Sequence, residues 1–307
     1  MKRRLLAVCT VAAALSMAVT GCGPDTGAPR AAAAPGVPGG QQGEISDHDR
    51  ARIRHAEQLV VQECMRRQGF RYWVAAVPSA EESRGGGYVL DAPEWAAEHG
   101  YGSRLESRAL AARTSDPNLG HREKLSKARL RQYLAALVGP PGTPEMSVEI
   151  PGGGTISKAV GGCEAKAEER LYGDRENWFR ASRVAGNLTP LYVPDLLRDK
   201  RFVAALAKWS RCMRDRNRPY PDPQAARAAV PGLTEGLAEK QAFAVEVRLA
   251  VDEATCARDT GFAVAARALE NEYRDGLRDR YGEELDTRDR MERAALARAE
   301  QITGSRP

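Results

Sequence analysis

Residues 199–216 read Asp199-Lys200-Arg201-Phe202-Val203-Ala204-Ala205-Leu206-Ala207-Lys208-Trp209-Ser210-Arg211-Cys212-Met213-Arg214-Asp215-Arg216. Phe202, Ala205, Leu206, Trp209, Cys212 and Met213 recur at i, i+3, i+4, i+7, i+10 and i+11, the stripe of a helix that buries one face. Asn217 follows, a residue that tolerates the left-handed conformation closing a helix. Pro219-Tyr220-Pro221-Asp222-Pro223 then turns the chain, with Asp222 placed to cap a new helix and Pro223 as its first residue.

The same arrangement occurs earlier. Ile53, Ala56, Val60 and Cys64 share a helix face flanked by Val61 and Met65, with Ser46 as cap and Asp49 three residues on. Arg66 and Arg67 suit the last turn, and Gly69 stands where Asn217 stands. Cys64-Met65-Arg66 matches Cys212-Met213-Arg214, and Tyr72 matches Tyr220 in the extended stretch that follows.

Between these landmarks, residues 75–118 are poorly patterned, with loops and one or two short helices expected. A helix is predicted from about Arg122 to Val138, ended by Gly139-Pro140-Pro141-Gly142. Residues 146–150 and 155–160 flank a Pro-Gly-Gly-Gly turn, the one good hairpin signal. A helix is expected from near Cys163 to Tyr172-Gly173. Later helices are expected from about Thr234 to Asp259 and from Gly261 towards Ile302. The last has Leu269, Tyr273, Leu277, Tyr281 and Leu285 on one face and a charge- and alanine-rich tail after Asp286 expected to stand free of the core.

The amino terminus fixes the compartment. Lys2, Arg3 and Arg4 precede an apolar run from Leu5 to Val19, followed by Val19-Thr20-Gly21-Cys22. A charged head, a run short for a membrane span and small residues before a cysteine form a bacterial lipoprotein signal. Residues 1–21 are thus expected to be removed, with Cys22 carrying the lipid. Residues 22–45, rich in glycine, proline and alanine, read as a tether with a reach of about 25–30 Å. Residues 46–190 and 191–307 are then two related helical units.

Six cysteines are present, and Cys9 and Cys22 are used by the signal. Cys64, Cys163, Cys212 and Cys256 remain, an even number outside the plasma membrane, which reads as disulfides. Of three connectivities, Cys64–Cys163 with Cys212–Cys256 is favoured because each pair staples one half. A zinc site is set aside because the spacings are long and no histidine lies near. The whole reading is a mainly α, disulfide-stapled helical ectodomain of two related units with one small β-hairpin.

Cys163 with Arg170-Leu171-Tyr172-Gly173-Asp174, Trp209-Ser210-Arg211-Cys212-Met213-Arg214, Tyr220-Pro221-Asp222-Pro223, and Ala254-Thr255-Cys256 with Thr260-Gly261 carry a resemblance. The chain resembles uncharacterised secreted lipoproteins of high-GC Gram-positive (actinobacterial) bacteria with paired Cys-Met helix-end motifs. The resemblance implies location and disulfides and carries no catalytic residues. It leaves residues 75–120 uncovered.

Motifs for catalysis fail. Gly-x-Ser-x-Gly, Ser-x-x-Lys and His-Glu-x-x-His do not occur. His48 and His55 lie two turns apart, about 10 Å, too far for one metal. His99 and His121 stand alone in the sequence. In Gly152-Gly153-Gly154-Thr155-Ile156-Ser157-Lys158 the lysine follows the serine, so the order of a phosphate loop is broken. Glu168-Glu169 and Glu283-Glu284 read as solvated helix-face pairs. Tyr72, Trp73, Tyr88, Trp95 and Tyr101 read as packing under loops. The formal charge is +5, of which Lys2, Arg3 and Arg4 supply three, and the charges interleave, so no nucleic-acid footprint is present.

The expected function is a non-enzymatic binding or scaffold module of the cell envelope, membrane-held through Cys22, with an envelope protein or polymer as partner and no cofactor or metal. A transporter-linked solute-binding lipoprotein is the alternative, and a secreted hydrolase a weaker one. Replacing Cys22 by Ser should release the protein from membranes or leave it unprocessed. Fractionation that finds the correctly cleaved variant still membrane-bound would sink the anchor.

Overall fold

Ser46 Oγ accepts the Asp49 N–H at 3.1 Å and starts α1 (Asp47–Arg67), as the cap signal predicts. The structure is a computed structural model describing residues 45–74 and 87–304. The signal, Cys22 and most of the tether lie outside the described residues. After α1 come α2 (Pro93–His99), α3 (Ser103–Thr114), α4 (Pro117–Glu123) and α5 (Lys127–Val138). An antiparallel hairpin of β1 (Glu145–Glu149) and β2 (Thr155–Ala159) leads to α6 (Gly162–Tyr172), α7 (Arg175–Ala185) and α8 (Thr189–Leu196). The remainder is α9 (Lys200–Asp215), α10 (Pro223–Ala228), α11 (Val230–Thr234), α12 (Glu239–Asp259), α13 (Phe262–Asp275) and α14 (Arg278–Gly304). The fold is mainly α and disulfide-stapled, as the helical stripes and cysteines predict.

Cys64 bonds Cys163 and Cys212 bonds Cys256, with Cα separations of 5.6 and 5.7 Å. The first joins α1 to α6, and the second joins α9 to α12. Each bond sits in its own core. Val60, Val61, Met65, Phe70, Tyr133 and Leu137 surround the first, and Tyr192, Phe202, Trp209, Met213, Leu249 and Phe262 the second. Burying one side chain of the Phe202 or Leu249 kind contributes about 1.5–3 kcal/mol, so a few such groups rival the net stability of a domain.

The internal echo is structural. Gly69 N–H donates to the Arg66 carbonyl at 3.0 Å, and Asn217 N–H to the Arg214 carbonyl at 2.9 Å. Phe70 N–H donates to the Met65 carbonyl at 2.9 Å, and Arg218 N–H to the Met213 carbonyl at 2.8 Å. Gly69 and Asn217 both have positive φ, 75° and 59°. Past each helix end a side chain catches the extended segment. Gln62 Nε2 donates to the Tyr72 carbonyl at 3.0 Å, and Ser210 Oγ to the Tyr220 carbonyl at 2.9 Å. Met65 and Met213 are both fully buried.

Several expected elements differ. The single helix expected from Arg122 to Val138 is two, because Ser126 caps α5 by accepting the Arg129 N–H. The helix expected from Thr234 starts at Glu239. The long helix expected from Gly261 breaks at Gly276, so that α13 packs on α8 and α9 while α14 turns to α1, α6 and α7. Its tail does not stand free. Met291, Ala295 and Ala299 are buried, and the alanines let α14 close on Ile53, Ala56 and Leu171. α7 has no counterpart among the expected elements, although Asp174 caps it through the Asn177 N–H.

Packing also crosses the expected boundary at residue 190. α14 closes the core built on α1 and α6, and α2 lies on α12 of the other half through Trp95, Ala96, Ala250 and Ala254. The described residues thus form one compact unit. Asn217→Gly should leave stability within about 0.5 kcal/mol of the parent or raise it, whereas Asn217→Val should cost about 1–2 kcal/mol for a left-handed β-branched residue. Urea unfolding midpoints distinguish these outcomes.

Candidate functional site

Glu246 and Glu253 lie two turns apart on one face of α12. Both are buried, Glu253 completely. Glu253 accepts the Tyr101 hydroxyl at 2.7 Å and Arg227 Nη2 at 2.9 Å. Glu246 accepts the Tyr101 N–H at 2.8 Å, and also the Ser103 N–H and hydroxyl. Arg227 in turn donates to the Gly87 carbonyl at 2.6 Å. Burial pushes the Glu253 carboxyl up, against the pull of Arg227 and the tyrosine hydrogen bond, and burial pushes the Tyr101 phenol up beside it. The group clamps residues 87–103 onto α12. Breaking one partner of such a buried pair costs about 3–5 kcal/mol.

A second cluster sits between α1, α6 and the hairpin. Glu168 is buried, bound by Lys158 Nζ and by Arg175 Nε at 3.5 Å. The expectation of a solvated Glu168-Glu169 pair fails for Glu168, because α6 turns that side chain under β2. Half-buried Glu57 faces Glu168, Glu164, Lys158 and Arg54, and burial, reinforced by the Glu168 charge, pushes its carboxyl up to about 6. Tyr172 lies against Glu57 and stacks on Trp178 with centroids 3.8 Å apart, and burial raises its phenol as well.

An open concavity lies beside the hairpin. Its cavity volume is about 630 Å³, and its walls are β1 from Ser147, the turn Ile150-Pro151-Gly152-Gly153, α7, Leu191 of α8 and the first turns of α14. That size is within the range of ligand clefts. The hairpin fulfils its sequence signal, with Glu145 opposite Ala159 and Glu149 opposite Thr155. Hydrogen bonds from Ile150 N–H to Gly154 O and from Val160 N–H to Pro144 O, both 3.0 Å, set the ladder phase. Bonded pairs alternate along an antiparallel ladder. Met146 and Val148 therefore pair with β2, and the peptide groups of Ser147 and Glu149 point outwards from β1. They make no hydrogen bond among the described residues. α7 packs along β1 and turns that edge into a wall of the cleft.

Val184 and Leu191 supply its apolar side. Arg180 Nη2 pairs with Glu284 at 2.9 Å. Arg280 is exposed, lies over the Tyr281 ring at 5.2 Å from its centroid, and has no carboxylate partner among the described residues. The outward peptide groups escape sequence reading because ladder phase depends on register. A polar-apolar alternation in residues 145–149 was the available signal.

The histidines remain apart. His48 and His55 are exposed on α1, His99 packs on Trp95, and His121 lies between Trp73 and Tyr133. Among the described residues no group of three or more His, Cys, Asp or Glu is placed to hold a metal, and no helix is long and apolar enough to cross a membrane. Trp95 is buried as core packing, though from helix α2 against α12 instead of under a loop, while Tyr88 is 41% exposed. No family model, curated protein or solved structure matches the chain.

Glu57 binds its proton more tightly folded than unfolded, since its value rises from 4.5 to about 6. Its contribution is full below the unfolded value and is lost as pH rises through the folded one, by about 2 kcal/mol. Glu57→Gln should therefore gain stability relative to the parent as pH rises from 4.5 to neutral. Melting temperatures that run parallel in parent and variant across this window would contradict the assignment.

Proposed function

We propose that the protein is a lipid-anchored binding or scaffold module of the cell envelope, held through Cys22, and that the cleft between β1, α7 and α14 is its recognition surface. The two disulfides support an oxidising, extracytoplasmic setting for the folded chain. The lipoprotein signal and the resemblance to actinobacterial secreted lipoproteins support the anchor. One observation carries the binding role. The buried carboxylates Glu168, Glu246 and Glu253 are bound to internal partners, whereas at the open cleft the outward peptide groups of Ser147 and Glu149 make no hydrogen bond and Arg280, over the Tyr281 ring, has no carboxylate partner among the described residues.

The mainly α fold with a single two-stranded antiparallel sheet among the described residues speaks against a solute receptor of the usual α/β kind. A photo-crosslinking residue at Tyr281, on the anchored protein in intact cells, should give discrete adducts with envelope material. The same residue at exposed Val264 on α13, 66% accessible, should not. Absence of adducts from Tyr281, or equal adducts from both positions, would remove the cleft as recognition surface.

A further inference from the structure

We propose that the outer edge of β1 is a strand-addition site, at which an extended segment of a partner protein lies in the cleft as a third strand. The inference rests on reading the cleft as the recognition surface and names its ligand class. An extended peptide needs alternating donors and acceptors at strand spacing, and Ser147 and Glu149 supply both, two residues apart. The register from Glu145↔Ala159 to Glu149↔Thr155 is uninterrupted, with no bulge to twist the edge away. No lysine or proline blunts β1 itself, since Pro144 and Pro151 lie just outside it.

α7 packs on β1 and, with the start of α14, lines the cleft that an incoming chain would enter. The cleft lies on the β1 side, lined by Ser147, Val148 and Glu149 and by none of residues 155–159. Main-chain pairing gives affinity without sequence choice, so side chains must supply specificity. Val184 and Leu191 form an apolar wall for one aliphatic residue. Arg180 is neutralised by Glu284, which leaves Arg280 as the cation without a carboxylate. Charge complementarity thus selects a peptide with an aliphatic residue and a carboxylate.

The test uses the full-length protein in detergent micelles. The probe is an array of unstructured decapeptides with a central Val or Leu and Asp scanned through the other positions, beside the same set with Asn for Asp. Binding is read by fluorescence anisotropy. Asp peptides should bind more tightly than their Asn partners, and Arg280→Gln should abolish that preference. N-methylation of the bound peptide should weaken binding at every second residue and spare the rest. Amide exchange should slow at Ser147 and Glu149 on binding.

Ser147→Pro removes an outward N–H that the β1–β2 ladder does not use and should weaken binding at least about tenfold, the equivalent of about one well-formed hydrogen bond. Ser157→Pro at the corresponding outward position of β2 should stay within about twofold, since it leaves the β1 edge intact. Matched melting temperatures show that both variants fold, and the N-methyl series makes the same test on the ligand alone. Peptides that bind with no amide protection and no N-methyl periodicity overturn strand addition. So does an array with no binder while Tyr281 still crosslinks in cells, which leaves the cleft reading standing. An array with no binder and no Tyr281 adduct removes both.

Discussion

A disulfide placed in the last turn of a helix, with a fully buried methionine next to it, is the constraint around which both cores form. In α1 and α9 alike, the residue after the cysteine buries its side chain and offers its carbonyl to the N–H that closes the helix. The helix end, the exit direction of the chain and the covalent tie to a second helix are therefore set within one turn. The tied residues are 99 and 44 positions apart. In the chain-entropy model, closing loops of that length is worth about 4–5 kcal/mol each, comparable with the whole net stability of a domain. Such staples matter in a chain where alanine fills much of the buried surface and mean hydropathy is −0.49.

Two disulfide-centred cores would drift apart if nothing bridged them, and two devices do so. α14 returns to cover α1, α6 and α7 after the break at Gly276. The buried carboxylates of α12 take hold of residues 87–103 from the other half of the chain through Tyr101, Ser103 and Arg227. Both are long-range contacts between surfaces that are unremarkable by themselves. They leave the hairpin on the periphery, with β1 beside α7 and its outward peptide groups unpaired. The cleft is thus a by-product of how the helices interlock around β1, and the outward peptide groups of Ser147 and Glu149 stay available at its wall.

Much of the local structure was legible. The stripe from Phe202 to Met213 has an unbroken helical period, and Asn217 and Asp222 punctuate it with residues whose side chains do specific jobs at helix ends. The hairpin followed from alternation about a glycine turn, and the cysteine pairing from its even division between the halves. Where expectation failed, local signals competed. Leu125 and Ala128 lie three apart and so in phase across Ser126, which hides the cap inside the pattern. Residues after Asp286 carry so much charge that the small residues Ala295 and Ala299 did not register as a contact face, although smallness is what allows α14 to approach α1. Glu168 looked like half of a solvated pair because nothing local shows that Lys158 and Arg175 converge on it.

By itself the sequence determined the mainly helical character, the repeated Cys-Met helix end, the hairpin and the two staples, because each rests on periodicity, backbone preference or parity within short reach. Only the tertiary structure decided that the halves interleave, that Glu246 and Glu253 serve as clamps, and that the β1 edge opens onto a cleft. Those depend on which faces meet across long stretches of chain and on ladder phase. A small shift in either would bury the peptide groups of Ser147 and Glu149 without altering any local pattern.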